Sequence, residues 1–356
     1  MAINSVITGT GSYIPTVVKR NSDFLTNQFL NEDGTPFGYE NEIIIEKFKG
    51  ITGIEERRYA SPELNSSDLA FFAAEKAIAD AKIDQEDIDY IILAHNFGDV
   101  KSAANQSDIL PSLASRVKHR LGIKNPNCVA YDILFGCPGW IQGMIQAEAY
   151  IKSGMAKKCL VVGTETLSRV LDDHDRDSMI YSDGAGACMV EAAESDDQIG
   201  ILSYAAQTYT FEECFYLFFG KSYDKTDDEH TRYIKMYGRK IYEFGLNFVP
   251  TAMKEALDKS GVDILDVKKI LIHQANEKMD EAIIKRFYRL YKTEIPEAVM
   301  PMSIHTLGNS SVATVITLYD LIKHGNLKPH SLHKGDVILM ASVGAGMNIN
   351  AMVYKY

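Results

Sequence analysis

YDILFGCPGWIQGMIQAEAYIKSG, residues 131–154, decides the fold of this chain. The stretch predicts a buried strand, a turn in which glycines flank one cysteine, and then a helix. Apolar residues recur along the predicted helix at three- and four-residue steps, at Ile141, Met144, Ile145 and Ala149. A strand, a turn and a helix in this order favour an α/β fold.

Cys137 lies where the predicted turn meets the predicted helix. Unpaired N–H groups and the positive end of the helix dipole at this point favour a thiolate over a thiol. The sequence therefore predicts that Cys137 is a nucleophile. The other four cysteines occupy apolar or mixed strand-like runs and are interpreted as small buried side chains: Cys128, Cys159, Cys188 and Cys214.

The composition indicates an ordinary globular protein with two domains or two fused halves, since 356 residues exceed what one core usually serves. Five cysteines without a CxxC pair favour a reducing, cytoplasmic setting without disulfides. No apolar run approaches the roughly 20 residues that span a bilayer, so no membrane partner is expected. The formal net charge of −11 disfavours nucleic acid as a partner. No histidine, cysteine and aspartate cluster has metal-ligand spacing, so no metal is expected.

The N-terminal stretch 3–18 predicts a short strand and a glycine turn at Gly9 and Gly11. It resembles a dinucleotide fingerprint only in part. The third glycine is missing, and Pro15 falls where the phosphate-binding helix should begin. A nicotinamide site is therefore not predicted.

The second half of the chain repeats the first. Residues 77–93, AIADAKIDQEDIDYIIL, align with residues 256–272, ALDKSGVDILDVKKILI, at an offset of 179, and residues 159–165 align with 338–344 at the same offset. The polar run 193–197 is the boundary that composition favours. We therefore expect two similar α/β halves, 1–195 and 196–356, related by a pseudo-twofold axis.

The repeat also predicts an active site. At a smaller offset than that of the flanking strands, the counterpart of the cysteine turn is, within one residue, Leu307-Gly308-Asn309. His273 follows a strand whose counterpart ends at Ala94. Taken alone, His273 would be interpreted as a structural histidine and Asn309 as a turn residue. Because ligands in open α/β sheets gather at the carboxyl ends of strands, Cys137, His273 and Asn309 are predicted to be neighbours.

Six motifs span the chain: TGIEERR (52–58), DILFGCPGW (132–140), SDGAGA (182–187), IHQAN (272–276), LGNSSVAT (307–314) and SVGAGM (342–347). Together they resemble the β-ketoacyl-acyl-carrier-protein synthase III branch of the thiolase-fold condensing enzymes. The resemblance implies a homodimer of thiolase-like, five-layered αβαβα subunits. It also implies that Cys137 is the nucleophile and that His273 and Asn309 serve the extender thioester.

The implied reaction is a decarboxylative Claisen condensation. Cys137 would take an acyl group from a coenzyme A or acyl carrier protein thioester, with no cofactor. A malonyl thioester would then lose carbon dioxide while His273 and Asn309 donate hydrogen bonds to the enolate oxygen. By resemblance, the backbone N–H groups of Cys137 and Ala345 would hold the oxyanion.

The helix predicted after IHQAN presents one basic face in an acidic protein, made of Lys278, Lys285, Arg286 and Arg289. The resemblance implies that it docks an acyl carrier protein. A solvated helix face is the alternative, since Asp280 and Glu281 interrupt the patch. An aromatic cluster is interpreted as the wall of an acyl tunnel, or else as core or dimer interface: Phe211, Phe215, Tyr216, Phe218 and Phe219.

Two departures from the family pattern leave alternatives open. Residues 47–51, KFKGI, lack the Trp and Arg that hold adenine in fatty-acid-initiating members, and the loop 96–110 is longer. These features resemble ketosynthases that join a 3-oxoacyl thioester and a second acyl chain into cyclohexanedione or dialkylresorcinol precursors. A non-enzyme alternative is a silent partner or carrier-binding subunit. A thiolase is disfavoured because the turn 342–346 lacks a second cysteine.

Overall fold

The computed structural model describes residues 2–104 and 106–356. The strands are β1 (Ala2–Tyr13), β2 (Val17–Arg20), β3 (Glu56–Tyr59), β4 (Tyr90–Ala94), β5 (Asp99–Val100), β6 (Ser107–Asp108), β7 (Val129–Ile133), β8 (Lys158–Thr166), β9 (Asp183–Ser195), β10 (Gly200–Thr208), β11 (Leu217–Gly220), β12 (Tyr233–Met236), β13 (Val267–Ile272), β14 (Val337–Gly344) and β15 (Asn348–Lys355). The helices are α1 (Asn41–Thr52), α2 (Ser66–Ala81), α3 (Leu113–Leu121), α4 (Gly139–Lys152), α5 (Gly238–Ser260), α6 (Glu277–Leu290), α7 (Ile304–Leu307) and α8 (Thr314–Lys323).

Two mixed sheets organise the molecule. The first has the strand order β1-β9-β8-β4-β7, and the second has the order β10-β15-β14-β13. Helices α4 and α8 lie between the sheets in one apolar core, while α2 and α3 cover the outer face of the first sheet and α5 and α6 that of the second. Each sheet buries both faces because apolar helices pack on each side. The predicted five-layered αβαβα architecture is confirmed.

The sequence repeat corresponds to a structural repeat. α2 leads through a short 3-10 turn to β4, and α5 leads through a matching turn to β13. The side chain of Asp84 accepts a hydrogen bond from the Glu86 N–H at 2.9 Å, and that of Asp263 accepts one from the Leu265 N–H at 2.8 Å. Both turns therefore begin with the same aspartate cap. The predicted boundary between residues 195 and 196 lies directly after β9.

The glycine turn predicted near the N-terminus is wrong, because β1 continues through Gly9 and Gly11, with a shift of its register against β9 between Ile7 and Gly9. A Cβ atom on Gly9 would lie 2.3 Å from the Ala77 carbonyl oxygen, and one on Gly11 would lie 2.5 Å from that of Ala73. The glycines let α2 approach the sheet closely, which is a packing role and not a turn.

The strand before Cys137 was predicted to be buried, but β7 is the edge of its sheet. Val129 is 47% exposed and Leu134 is 63% exposed. Ala149, expected on the buried face of α4, is also exposed, whereas Ile141, Met144 and Ile145 are buried. Apolar periodicity alone does not distinguish a central strand from an edge strand, which explains the first error.

The predicted loop 96–110 carries the small hairpin β5–β6. Asn105 within it lies outside the described residues. In the part of the chain that the structure describes, no helix has the length and hydropathy needed to cross a bilayer.

Candidate active site

The cysteine turn and the C-terminal glycine turn lie in direct contact. Gly136 has a φ of +69°, and Cys137 stands two residues before the start of α4. A Cβ atom on Gly344 would lie 2.4 Å from the Cys137 nitrogen, and one on Gly136 would lie 2.7 Å from the Ala345 nitrogen. Such distances require glycine. The backbone of Ala345 is thus close to the cysteine turn, as the proposed oxyanion hole requires.

Ser311 contacts all three candidate catalytic residues. Its Oγ donates to the Cys137 Sγ at 3.3 Å. Its backbone N–H donates to the Asn309 Oδ1 at 2.8 Å, and its backbone lies near enough to the His273 ring to favour the protonated imidazole. The structure therefore brings Cys137, His273 and Asn309 together around one serine, which the analysis of the sequence did not single out. Its signal was its place in the LGNSSVAT motif.

His273 follows β13 and is buried. Its backbone N–H donates to the Ala341 carbonyl at 2.8 Å, which continues the pairing of β13 with β14. Burial lowers the pKa of the His273 imidazole to about 4, and the nearby Ser311 backbone acts in the opposite direction. The ring is neutral at pH 7, so it can donate one N–H without carrying a charge.

Asn309 is held by its own backbone. Its N–H donates to the Ile180 carbonyl at 3.1 Å, and its carbonyl accepts from the Ser182 N–H at 2.8 Å. Because the side-chain oxygen already accepts from Ser311, the Nδ2 amide is the group that remains for donation. An amide donor beside a neutral imidazole suits a developing oxyanion.

Two further polar residues, Glu165 and Asn96, lie beside Ser311. The Asn96 amide donates to the Glu165 Oε1 and, at 3.1 Å, to the Ser311 Oγ. The Ser311 hydroxyl lies 3.4 Å from the same Glu165 oxygen. Burial raises the pKa of the Glu165 carboxyl to about 8. No sequence pattern marked Glu165, which stands near the end of an ordinary buried strand, β8.

The thiol of Cys137 does not have the lowered pKa that its helix position predicts. Burial raises its pKa to about 12, the Ser311 hydroxyl opposes the rise, and the Glu165 carboxylate adds to it. Loss of water around the sulfur outweighs the helix terminus. The prediction of a lowered pKa for the Cys137 thiol is therefore wrong.

A cavity of about 200 Å³ opens at Cys137. Its wall is mainly apolar and includes Phe97, Leu167, Tyr181, Leu217, Phe218 and Phe219. Of the predicted aromatic cluster, only Phe218 and Phe219 line this cavity. Phe211 and Phe215 are 97% and 73% exposed, and Tyr216 packs against the core below the second sheet.

A larger cleft of about 810 Å³ lies beside the segments that hold His273 and Asn309. Ala275 and Asn276, which follow His273, line it together with Met236 and Arg176. Ile180, whose carbonyl holds Asn309, also contributes to its wall. The cleft is large enough for the carrier arm of a thioester.

The sequence of this chain is similar to a known protein family. Residues 131–210 match the family model described as 3-oxoacyl-[acyl-carrier-protein (ACP)] synthase III, and residues 257–356 match that of its C-terminal part. The chain is 32% identical to the β-ketoacyl-[acyl-carrier-protein] synthase III of Bacillus pumilus over 99% of both chains. It is 30% identical to that of Erythrobacter litoralis over 99% of this chain and 100% of the relative.

The chain belongs to this family. The crystal structure of 3-oxoacyl-[acyl-carrier-protein] synthase III from Aquifex aeolicus superimposes with a TM-score of 0.79 at 30% identity, covering 99% of this chain and 100% of that one. Xanthomonas campestris OleA with bound lauric acid and lauroyl-CoA superimposes with a TM-score of 0.78 at 20% identity, covering 99% of both chains, and shows the fold alone.

The basic residues that the family resemblance linked to carrier docking lie on the outer face of α6. Lys278, Lys285, Arg286 and Arg289 are all exposed. Arg286 is tied to α5, since its guanidinium donates to the Leu246 carbonyl at 2.9 Å. Asp280 is fully buried and does not interrupt the surface patch, whereas Glu281 does. Among the described residues, no group of three or more His, Cys, Asp or Glu side chains is placed to hold a metal ion.

Proposed function

We propose that this β-ketoacyl-[acyl-carrier-protein] synthase III family member is an acyltransferase that forms a carbon–carbon bond by decarboxylative Claisen condensation. The observation that carries the proposal is the position of Ser311, which donates hydrogen bonds to Cys137 and Asn309, has its backbone near the His273 ring and lines the same apolar cavity as Cys137. A sulfur nucleophile beside two neutral hydrogen-bond donors suits acyl transfer followed by enolate formation.

In the first half-reaction, the Cys137 thiolate attacks the carbonyl carbon of an acyl thioester. The acyl chain enters the 200 Å³ cavity, where Phe218 and Phe219 contact it. The backbone N–H groups of Cys137 and Ala345 stabilise the tetrahedral oxyanion, each donor contributing about 3 kcal/mol to the transition state. The thiolate of the carrier then leaves and takes a proton from solvent.

In the second half-reaction, a malonyl thioester loses carbon dioxide. The developing enolate oxygen accepts hydrogen bonds from the His273 ring and the Asn309 Nδ2. Because burial keeps the imidazole neutral, the pair stabilises the enolate without protonating it fully. The enolate carbon attacks the acyl group on Cys137, and the Cys137 thiolate is released and reprotonated.

The thioesters are carried by coenzyme A or by acyl carrier protein. Their phosphopantetheine arm lies in the 810 Å³ cleft, whose wall includes Ala275, near His273, and Ile180, whose carbonyl accepts from the Asn309 N–H. The exposed cations of α6 attract an acidic carrier protein and raise its association rate.

The active form is a homodimer. β7 is the edge strand of the first sheet, and Val129 within it and Leu134 directly after it are exposed. An exposed apolar edge strand is a surface on which a second copy can pair, and a twofold axis would satisfy both edges at once. Light scattering should give twice the chain mass of 39.7 kDa.

Intact-mass measurement of Cys137 acylation, followed by product analysis with malonyl thioesters, tests the function. Wild type should gain one acyl group and release a 3-oxoacyl thioester, whereas Cys137→Ala should gain none. His273→Ala and Asn309→Ala should still acylate but should condense about 10²–10³-fold more slowly.

Other results would replace this function. Product formed only from a 3-oxoacyl thioester and a second acyl chain, without malonyl decarboxylation, would establish the cyclohexanedione or dialkylresorcinol alternative. If Cys137 never acylates with any coenzyme A or carrier donor, yet the protein binds another ketosynthase tightly, the chain is a partner subunit.

A further inference from the structure

The Ser311 hydroxyl lies between two acceptors. Its oxygen is 3.3 Å from the Cys137 Sγ and 3.4 Å from the Glu165 Oε1. A serine hydroxyl carries a single hydrogen, so it can donate to only one of the two at a time. Asn96 already donates to this oxygen at 3.1 Å, which leaves the hydroxyl hydrogen free to point at the sulfur or at the carboxyl.

The surrounding structure holds Ser311 in a strained backbone conformation. Its φ is +52°, a left-handed conformation that is unfavourable for a serine, and the residue is buried. Strained backbone of this kind is retained where the surroundings hold it and is common at functional sites. The loop that carries Asn96 is also held in place. The His95 Nδ1 accepts from the Gly98 N–H at 2.9 Å, and the His95 Nε2 lies 3.0 Å from the Asp132 carboxylate.

The Glu165 side chain is 1% exposed. Its Oε1 accepts a hydrogen bond from the Asn96 amide, and the same oxygen faces the Ser311 hydroxyl. A neutral carboxyl is a weaker acceptor than a carboxylate, and a carboxylate attracts a hydroxyl hydrogen about twice as strongly. The direction in which Ser311 donates therefore depends on the protonation of Glu165.

The other titratable groups that face this cluster hold constant charge near neutral and alkaline pH. Burial raises the pKa of Asp183, on the adjoining strand β9, to about 6. Burial raises the pKa of the Tyr181 hydroxyl well above its ordinary value and lowers that of His273 to about 4. Burial raises the pKa of Glu165 to about 8. Between pH 7 and pH 10 the groups that change charge at this cluster are therefore Glu165 and, to a small extent, Cys137.

We propose that Ser311 is the hydrogen-bond donor that stabilises the Cys137 thiolate, and that a protonated Glu165 keeps the serine hydroxyl available for it. Ionisation of Glu165 turns the hydroxyl toward the carboxylate and places a negative charge beside the sulfur. Ser311 touches the reacting atom, whereas Glu165 acts through it as a positioning residue. The inference deepens the proposed function, since Cys137 is the nucleophile there, but it concerns the thiolate itself.

The test is the pH dependence of Cys137 alkylation by iodoacetamide, which needs no acyl substrate. Cys214 is the other cysteine that is not buried, so the measurement uses a Cys214→Ser background with intact-mass detection. In the parent protein the logarithm of the rate should rise with unit slope up to about pH 8 and flatten above it. Glu165→Gln should match the parent at pH 6.5, keep unit slope above pH 8 and exceed the parent at pH 9.5.

Ser311→Ala should alkylate at least about tenfold more slowly than the parent at every pH, because the thiolate loses a charge-assisted hydrogen bond. In that background, Glu165→Gln should raise the rate at pH 9.5 less than it does when Ser311 is present. The matched control is Ser310→Ala, since the Ser310 hydroxyl contacts the Thr314 Oγ1 at 3.3 Å and not the sulfur; it should behave like the parent.

An unchanged rate in folded Ser311→Ala overturns the proposal, as does a Glu165→Gln rate at pH 9.5 that is equal to or below that of the parent. If Glu165→Gln does not fold, the alkylation rates of Ser311→Ala and Ser310→Ala still test whether Ser311 stabilises the Cys137 thiolate. Normal alkylation behaviour without any acylation would contradict the proposed function and leave this inference standing.

Discussion

Gly344→Ala tests whether close contact between two backbone turns forms the oxyanion hole. The added Cβ would lie 2.4 Å from the Cys137 nitrogen and 2.9 Å from the Cys137 Cβ, where ordinary contact begins at 3.4 Å. Gly344 has a φ of −165°, an extended conformation that alanine adopts freely, so the perturbation is steric only. The nearest atom belongs to the backbone, and the cysteine turn must therefore move away by about 1 Å.

That movement separates the N–H groups of Cys137 and Ala345, which must both reach one oxygen. Loss of one donor costs about 3 kcal/mol, or about 10²–10³ in rate. We therefore expect acylation of Cys137 by a thioester to slow at least about 10²-fold. Alkylation by iodoacetamide passes through no oxyanion, so its rate should change far less.

The assay is the time course of acyl mass on Cys137, measured beside iodoacetamide alkylation of the same sample. Gly50→Ala is the control, because Gly50 lies in α1 with open space around its Cα and has no left-handed φ. If folded Gly344→Ala acylates within about threefold of wild type, the two turns do not form the oxyanion hole at this distance.

Further predictions concern Glu165, His273, the basic residues of α6 and the cavity at Cys137. Between its ordinary pKa of 4.5 and about 8, Glu165 binds a proton in the folded state but not in the unfolded chain. The free energy of unfolding should therefore fall as pH rises from 7 to 8, by up to about 1.4 kcal/mol per pH unit. Glu165→Gln should remove this slope in urea titrations. His273 acts in the opposite sense below about pH 6.5, because the unfolded chain binds a proton that the buried imidazole does not. Its contribution to the free energy of unfolding should therefore decrease in urea titrations as the pH falls from 6.5 toward 4. Replacing Lys285 and Arg289 by glutamate should raise KM for a carrier-protein thioester several-fold, most strongly at low salt, and should leave KM for a coenzyme A thioester unchanged; equal effects on both would exclude carrier docking on α6. Phe218→Ala should enlarge the cavity at Cys137 and shift acylation toward longer chains in a competition assay, and an unchanged preference would show that the chain lies elsewhere.

Much of the fold could be predicted from the sequence because the local apolar pattern and the internal repeat indicate the same elements. The helix, aspartate-capped turn and strand of residues 77–93 recur as α5, its turn and β13, with matching cap hydrogen bonds. A cap of this kind is set by residues two positions apart, so the sequence contains it directly. The same periodicity could not show that β7 is an edge, or that Gly9 and Gly11 lie inside a strand under α2, because both depend on which element packs alongside.

The candidate site likewise has features that the sequence contains and features that depend on the tertiary structure. By itself, the sequence determined the strand–turn–helix unit around Cys137 and the two similar halves, and its motifs and repeat predicted that Cys137, His273 and Asn309 are neighbours, because motifs and repeats are properties of the order of residues along the chain. Only the tertiary structure decided that Ser311, 174 residues from Cys137, donates to its sulfur, and that Glu165 lies buried beside them. It also decided that burial raises the pKa of the thiol, since the loss of water around a side chain depends on every segment that surrounds it.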